Sequence, residues 1–125
     1  YNTPPVFAIW AVKLVLEWIK ANGGTVGMQK RADQKSKLIY DVIDSSSFFH
    51  SPVDTAFRSK MNLVFRLPSE ELEEKFLGEA KKLGMLGLKG HRSVGGLRAS
   101  LYNALPVEDA VALAQFMKDF ERKNG

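Results

Sequence analysis

The stretch GHRSVGGLRAS, residues 90–100, gathers the side chains best suited to chemistry. His91 and Arg92 stand before a turn that contains Gly95 and Gly96, and Arg98 follows it. Arginine offers five N–H donors in a planar fork, which matches a carboxylate or a phosphate through two parallel bonds. GLRASLY alternates as a strand does, with Leu97, Ala99 and Leu101 on one face and Arg98, Ser100 and Tyr102 on the other. A fork mounted on a strand is better positioned than one on a loop. Spacing alone leaves two readings open. In one, Arg98 pairs with a carboxylate at the core or the sheet edge, and His91 and Arg92 are ordinary loop residues. In the other, Arg98 takes an anion from outside and His91 and Arg92 converge on a second one. The glycines match neither a dinucleotide fingerprint nor a P-loop.

YNTPP is the second candidate. Asn2 and Thr3 precede an apolar helix, whose N-terminus presents free N–H groups and the positive end of its dipole to a phosphate. The plainer alternative is that Thr3 caps that helix. Elsewhere, two histidines, no cysteine and scattered carboxylates assemble neither a metal-ligand set nor a nucleophilic triad. No catalytic residue and no metal are therefore assigned to this chain. His50 reads as a surface-loop histidine.

The elements that must position these residues are legible from pattern. TPPVFAIWAVKLVLEWIK reads as a first helix, with Thr3 as N-cap and a stop at Asn22-Gly23-Gly24. Between Val6 and Ile19 its only polar residues are Lys13 and Glu17, four apart and able to pair. A helix apolar nearly all round is buried or spans a membrane, and this run is too short and too charged to span. Burial is expected, with another domain or subunit covering part of it and Trp10 and Trp18 as packing residues. A second helix is expected over residues 25–43, with a stripe of Met28, Ala32, Ile39 and Val42 that Lys35 interrupts. Lys30, Asp33, Gln34, Lys37 and Asp41 form its wet face.

SSSFFHSPVD reads as turn, short strand, turn. MNLVFRLP alternates as a strand, with Met61, Leu63, Phe65 and Leu67 on one face. SEELEEKFLGEAKKLG is a helix capped by Ser69, with a buried stripe of Leu72, Phe76, Ala80 and Leu83 and a solvated acidic face over Glu70 to Glu74. MLGLKG and GGLRASLY add two strands. PVEDAVALAQFMKDFERK is a last helix opened by Pro106, with Ala110, Leu113, Met117 and Phe120 facing inward. After two leading helices the order β-β-α-β-β-α predicts an α+β fold: a small, largely antiparallel or mixed sheet with helices on one face. Residues 1–23 are expected to be a buried helix linking to a larger domain, and residues 24–125 a small α+β domain.

At 125 residues the chain is long enough to build a core without staples. The net charge of +4 is spread without a basic block, which argues against nucleic acid as a partner. No signal peptide is expected, because no basic region followed by a cleavage site occurs. The lack of cysteine fits a reducing, cytoplasmic compartment. Starting on Tyr1, the chain reads as the middle of a longer protein.

Together, YNTPP, RSKMN, LKGHRSVGG, RASLYNA and the closing FMKDFERKNG resemble the C-terminal part of the phosphoserine aminotransferase family, and the resemblance runs from Tyr1 to the end. It implies a fold-type I, class-V enzyme that depends on pyridoxal 5'-phosphate, works as a homodimer, and needs neither nucleic acid nor a membrane. Such enzymes move an amino group from L-glutamate to 3-phosphohydroxypyruvate, giving O-phospho-L-serine and 2-oxoglutarate in serine biosynthesis. In bacteria a related reaction feeds vitamin B6 synthesis. By the resemblance, Asn2 and Thr3 contact the cofactor phosphate of the neighbouring subunit, His91 and Arg92 the substrate phosphate, and Arg98 the substrate α-carboxylate. The family's Schiff-base lysine lies upstream of the motif matching Asn2-Thr3, so this chain alone is expected to be inactive. The rival expectation is a stand-alone anion- or nucleic-acid-binding α+β module.

Overall fold

Two prolines decide where the first helix begins. A residue before proline is pushed out of the helical region, so neither Thr3 nor Pro4 can open a helix ahead of Pro5. In the computed structural model, which describes residues 3–125, helix α1 spans Val6–Ala21 with Pro5 as its N-cap and no side-chain capping bond. The expected Thr3 cap is therefore corrected. Asn22 ends the helix by donating from Nδ2 to the Trp18 carbonyl (2.8 Å). Gly23 then turns the chain with φ of 90°. Arg31 donates to Asn22 Oδ1 (2.8 Å) and lies 5.7 Å from the centre of the Trp18 ring. Lys13 and Glu17 do pair, at 3.7 Å. No residue of α1 is buried in this chain.

Helix α2 spans Gly24–Ser45. The chain divides into two units after Arg31, inside this helix. In the second unit Ile39, Val42 and Ile43 enter the core, and the five predicted wet-face residues are exposed where they fall. Lys35, the interruption in the stripe, is fully buried and donates to the carbonyls of Tyr102 (2.5 Å) and Leu105 (2.9 Å).

Strand β1 is Asn62–Phe65 and strand β2 is Leu97–Ser100. They pair antiparallel, with Leu63 opposite Ala99 and Val64 opposite Arg98. The other two expected strands shorten to single bridges, His50 with Arg66 and Lys89 with Leu97. SFFH and GLKG thus lie along the outer edges of the ribbon but are too short to ladder. The motif RSKMN sets up β1. Arg58 grips both Asp44 carboxylate oxygens (2.7 and 2.8 Å) and lies over the Tyr40 ring. Ser59 Oγ accepts from the N–H groups of Met61 and Asn62.

Helix α3, Glu70–Lys82, is capped as expected: Ser69 Oγ accepts from the Leu72 N–H (3.3 Å). Phe76 and Ala80 are fully buried. Two expectations fail here. Leu83 falls past the last helical turn and is exposed. Glu73 leaves the solvated face and is 8% exposed, because its Oε1 turns back to accept from the Leu67 N–H (3.3 Å). Helix α4, Val107–Asn124, has Pro106 as N-cap and buries Ala110, Leu113, Met117 and Phe120, with Ala114 and Phe116 beside them. One hydrophobic cluster joins α2, α3 and α4 to the alternate residues Leu63, Phe65, Leu97 and Ala99 of the sheet. The helices therefore share one face of the ribbon, which leaves Arg98 and Ser100 on the other.

Candidate functional site

Period-two alternation decides which way Arg98 points. Leu97, Ala99 and Leu101 are buried, so Arg98 stands on the opposite face, half-buried. Its backbone is held by the Arg98 N–H donating to the Leu88 carbonyl (2.7 Å). Its Nε is buried without a hydrogen-bond partner, and among the described residues no carboxylate forms an ion pair with it. A buried donor left unmade is costly, on the order of 1–3 kcal/mol. Arg98 lines a cleft of about 640 Å³ together with Ser100, Tyr102, Met85, Leu105 and Asp109. A polar fork without a protein partner, opening on a cleft, can receive a planar anion.

The turn before β2 carries His91 and Arg92. Gly90 donates to the Gly96 carbonyl (2.8 Å), and the N–H groups of Val94 and Gly95 both donate to the His91 carbonyl (2.9 and 2.8 Å). Gly95 and Gly96 have φ of 74° and 68°, which L side chains rarely adopt. A Cβ on Gly90 would meet the Gly95 carbonyl oxygen at 2.1 Å, so the closure demands glycine there too. His91 and Arg92 are both exposed. His91 Nδ1 accepts from the Ser93 backbone N–H (3.3 Å) and lies 2.7 Å from Ser93 Oγ. In the neutral tautomer whose Nδ1 accepts from Ser93, the ring proton is on Nε2, which can then donate to an anion. Arg92 has no hydrogen bond or ion pair among the described residues.

Of the residues singled out from sequence, His91, Arg92 and Arg98 belong to the second unit, where the turn closes directly onto the strand that carries Arg98. Thr3 belongs to the first unit and is exposed; Asn2 lies outside the described residues. Sequence reasoning passed over three features. Arg66 donates from Nη2 to the Val94 carbonyl inside the turn. Lys35 ties down the carbonyls that follow β2. Asn103 has a buried Oδ1 with no partner. Only Lys35 carried a local signal, a cation in an apolar stripe. Among the described residues no group of His, Asp or Glu could hold a metal ion, and no helix is long and apolar enough to cross a membrane.

Known proteins resemble this chain along its whole length. The family model of class-V aminotransferases matches residues 1–113. A phosphoserine aminotransferase of Bacillus cereus is 52% identical over 124 residues, covering 99% of this chain and 34% of the relative. The solved phosphoserine aminotransferase of Bacillus circulans subsp. alkalophilus superposes with a TM-score of 0.96 at 54% identity, over 100% of this chain and 35% of that one. A phosphoserine aminotransferase from Trichomonas vaginalis, solved with pyridoxal phosphate bound, gives 0.88 at 40% identity, over 94% of this chain and 34% of that one. The chain thus spans about a third of the length of the relatives it matches. An unpaired arginine on a strand and a glycine-closed cationic turn stand within a sequence that the family model covers almost throughout, and this chain belongs to the class-V aminotransferases.

Proposed function

We propose that this chain is the C-terminal portion of a phosphoserine aminotransferase, and that it supplies the anion clamps of the active site. The observation that carries the reading is Arg98: a fork on a rigid strand, its Nε buried and unpartnered, at the wall of a cleft. Arg98 takes the substrate α-carboxylate through two parallel bonds. His91 Nε2 and the Arg92 guanidinium take the phosphate. With both ends fixed, the carbon between them is held in place for reaction, and such positioning supplies a large share of an enzyme's rate. The same clamps suit glutamate, which is also anionic at both ends.

Thr3 fits a cofactor-phosphate contact, since its side chain is exposed and makes no capping bond to α1. Together with Asn2 it would hold the phosphate of pyridoxal 5'-phosphate in the neighbouring subunit of a homodimer. When bound, that cofactor supplies the electron sink that amino-group transfer requires. The lysine that anchors it belongs to the preceding part of the polypeptide, so the 125-residue chain alone is inactive. The same proposal makes residues 1–23 a linking helix covered by the larger domain, places the enzyme in the cytoplasm, and gives it small molecules as partners, with no nucleic acid or membrane involved. Family membership leaves no observation favouring a stand-alone anion- or nucleic-acid-binding module.

The test is Arg98→Lys in the complete polypeptide. A point charge then replaces a bidentate fork, and the expected loss in kcat/KM with O-phosphoserine is about ten- to hundredfold. Unchanged efficiency would rule out the carboxylate role.

A further inference from the structure

Among the described residues, one side chain from outside the turn that carries His91 and Arg92 hydrogen-bonds to it. Arg66 follows β1, and its backbone is fixed by two bonds to His50: its N–H donates to the His50 carbonyl (2.8 Å), and its carbonyl accepts from the His50 N–H (3.1 Å). From that fixed base the guanidinium reaches across to the turn, where Nη2 donates to the Val94 carbonyl. Its Nη1 lies 3.9 Å from Oε1 of the buried Glu73, whose own position is set by accepting from the Leu67 N–H. The turn fits closely around this side chain. A Cβ on Gly95 would lie 3.3 Å from Arg66 Nη2, and one on Gly96 would lie 3.1 Å from Arg66 Cγ.

We propose that Arg66 is a positioning residue for substrate: it holds the His91–Arg92 turn in the shape that receives the phosphate end and acts through those two residues. The inference rests on the reading that His91 and Arg92 bind phosphate. Its physical basis is entropy. A turn containing Gly90, Gly95 and Gly96 has unusual backbone freedom, and freedom not removed beforehand must be removed when the anion binds. Arg66 removes it in advance. Glu73 keeps the guanidinium aimed at Val94, so the first turn of α3 is coupled to the substrate clamp through one ion pair. Arg98, on β2, takes part in neither of these two contacts, so the expected effect falls on binding of the phosphate end.

The complete enzyme carrying Arg66→Gln should therefore show KM for O-phosphoserine raised about tenfold, with kcat within about twofold of wild type. In an enzyme already carrying His91→Ala and Arg92→Ala, the same change should raise KM less than about twofold further, because its route of action is gone. An unchanged KM in Arg66→Gln, or a full tenfold effect persisting in the triple variant, overturns the positioning role while leaving the phosphate reading intact. If His91→Ala with Arg92→Ala leaves KM unchanged, the phosphate reading itself fails and takes this inference with it. Should Arg66→Gln fail to fold, judged by thermal melting, Arg66→Lys keeps the charge beside Glu73 but loses the fork. A raised KM with preserved kcat is again expected, and a wild-type KM overturns the proposal.

Discussion

Arg98 and Lys35 are both cations drawn out of water, and the fold treats them in opposite ways. Lys35 is fully buried and donates hydrogen bonds to two backbone carbonyls, so it is structural. Arg98 is left with an unpartnered buried Nε, as suits a group reserved for a ligand. Tyr40 shows a third treatment. Its hydroxyl donates to the Ser59 carbonyl (2.9 Å). Burial raises its pKa above the ordinary tyrosine value; the Arg58 charge lowers it in part, and Asp44 raises it further. The unfolded chain therefore releases this proton at lower pH than the folded one. Stability from Tyr40 is intact below about pH 10 and declines as pH rises through the folded pKa. Phenolate absorbance should show one tyrosine titrating late. Tyr40→Phe should abolish that late step and, from the lost hydrogen bond, lower stability at neutral pH by about 1 kcal/mol in urea melts.

Among the elements, α3 does most to join the layers. Phe76 is fully buried, with ring centres 4.8 Å from Phe116, 5.1 Å from Phe120, 6.0 Å from Phe65 and 6.1 Å from Phe49. It thus contacts both the sheet and α4. Phe76→Ala should cost about 3–5 kcal/mol, because the surrounding rings cannot collapse fully into the space left. Chemical denaturation of the 125-residue chain would measure this, and a loss below about 1 kcal/mol would mean the cluster repacks freely. Element boundaries were legible where the signal is local. Ser69, the alternation around Leu63 and the inward face of α4 all stand as expected. The failures have local causes too. Consecutive prolines displaced the start of α1, and Leu83 lies one residue beyond the last turn of α3.

At the scale of the whole chain, α1 poses the remaining question. Its apolar residues stand open, with Phe7 at 77% and Leu16 at 58% exposure. Contiguous exposed apolar surface on a folded protein marks an interaction site or an aggregation liability. If the rest of the polypeptide covers α1, the 125-residue chain alone should self-associate and bind an apolar dye. Sedimentation velocity and dye fluorescence would measure both. A strict monomer without dye binding would mean that α1 has no need of cover.

The sequence by itself determined the four helices, the two strands that pair, most of the inward faces of α2, α3, α4 and the sheet, and the three candidate site residues His91, Arg92 and Arg98, because caps, period and residue type act over a few neighbours. The family resemblance in its motifs supplied the role proposed for those side chains. Tertiary structure alone decided that Arg98 has no carboxylate partner, that Glu73 turns inward, that two of four strands shrink to bridges, and that Arg66 braces the turn. Each of these depends on groups brought together from distant positions: Arg66 and Val94 lie 28 residues apart, and Lys35 and Tyr102 lie 67 apart. Contacts of that span carry no local pattern, since they exist only once the core has packed.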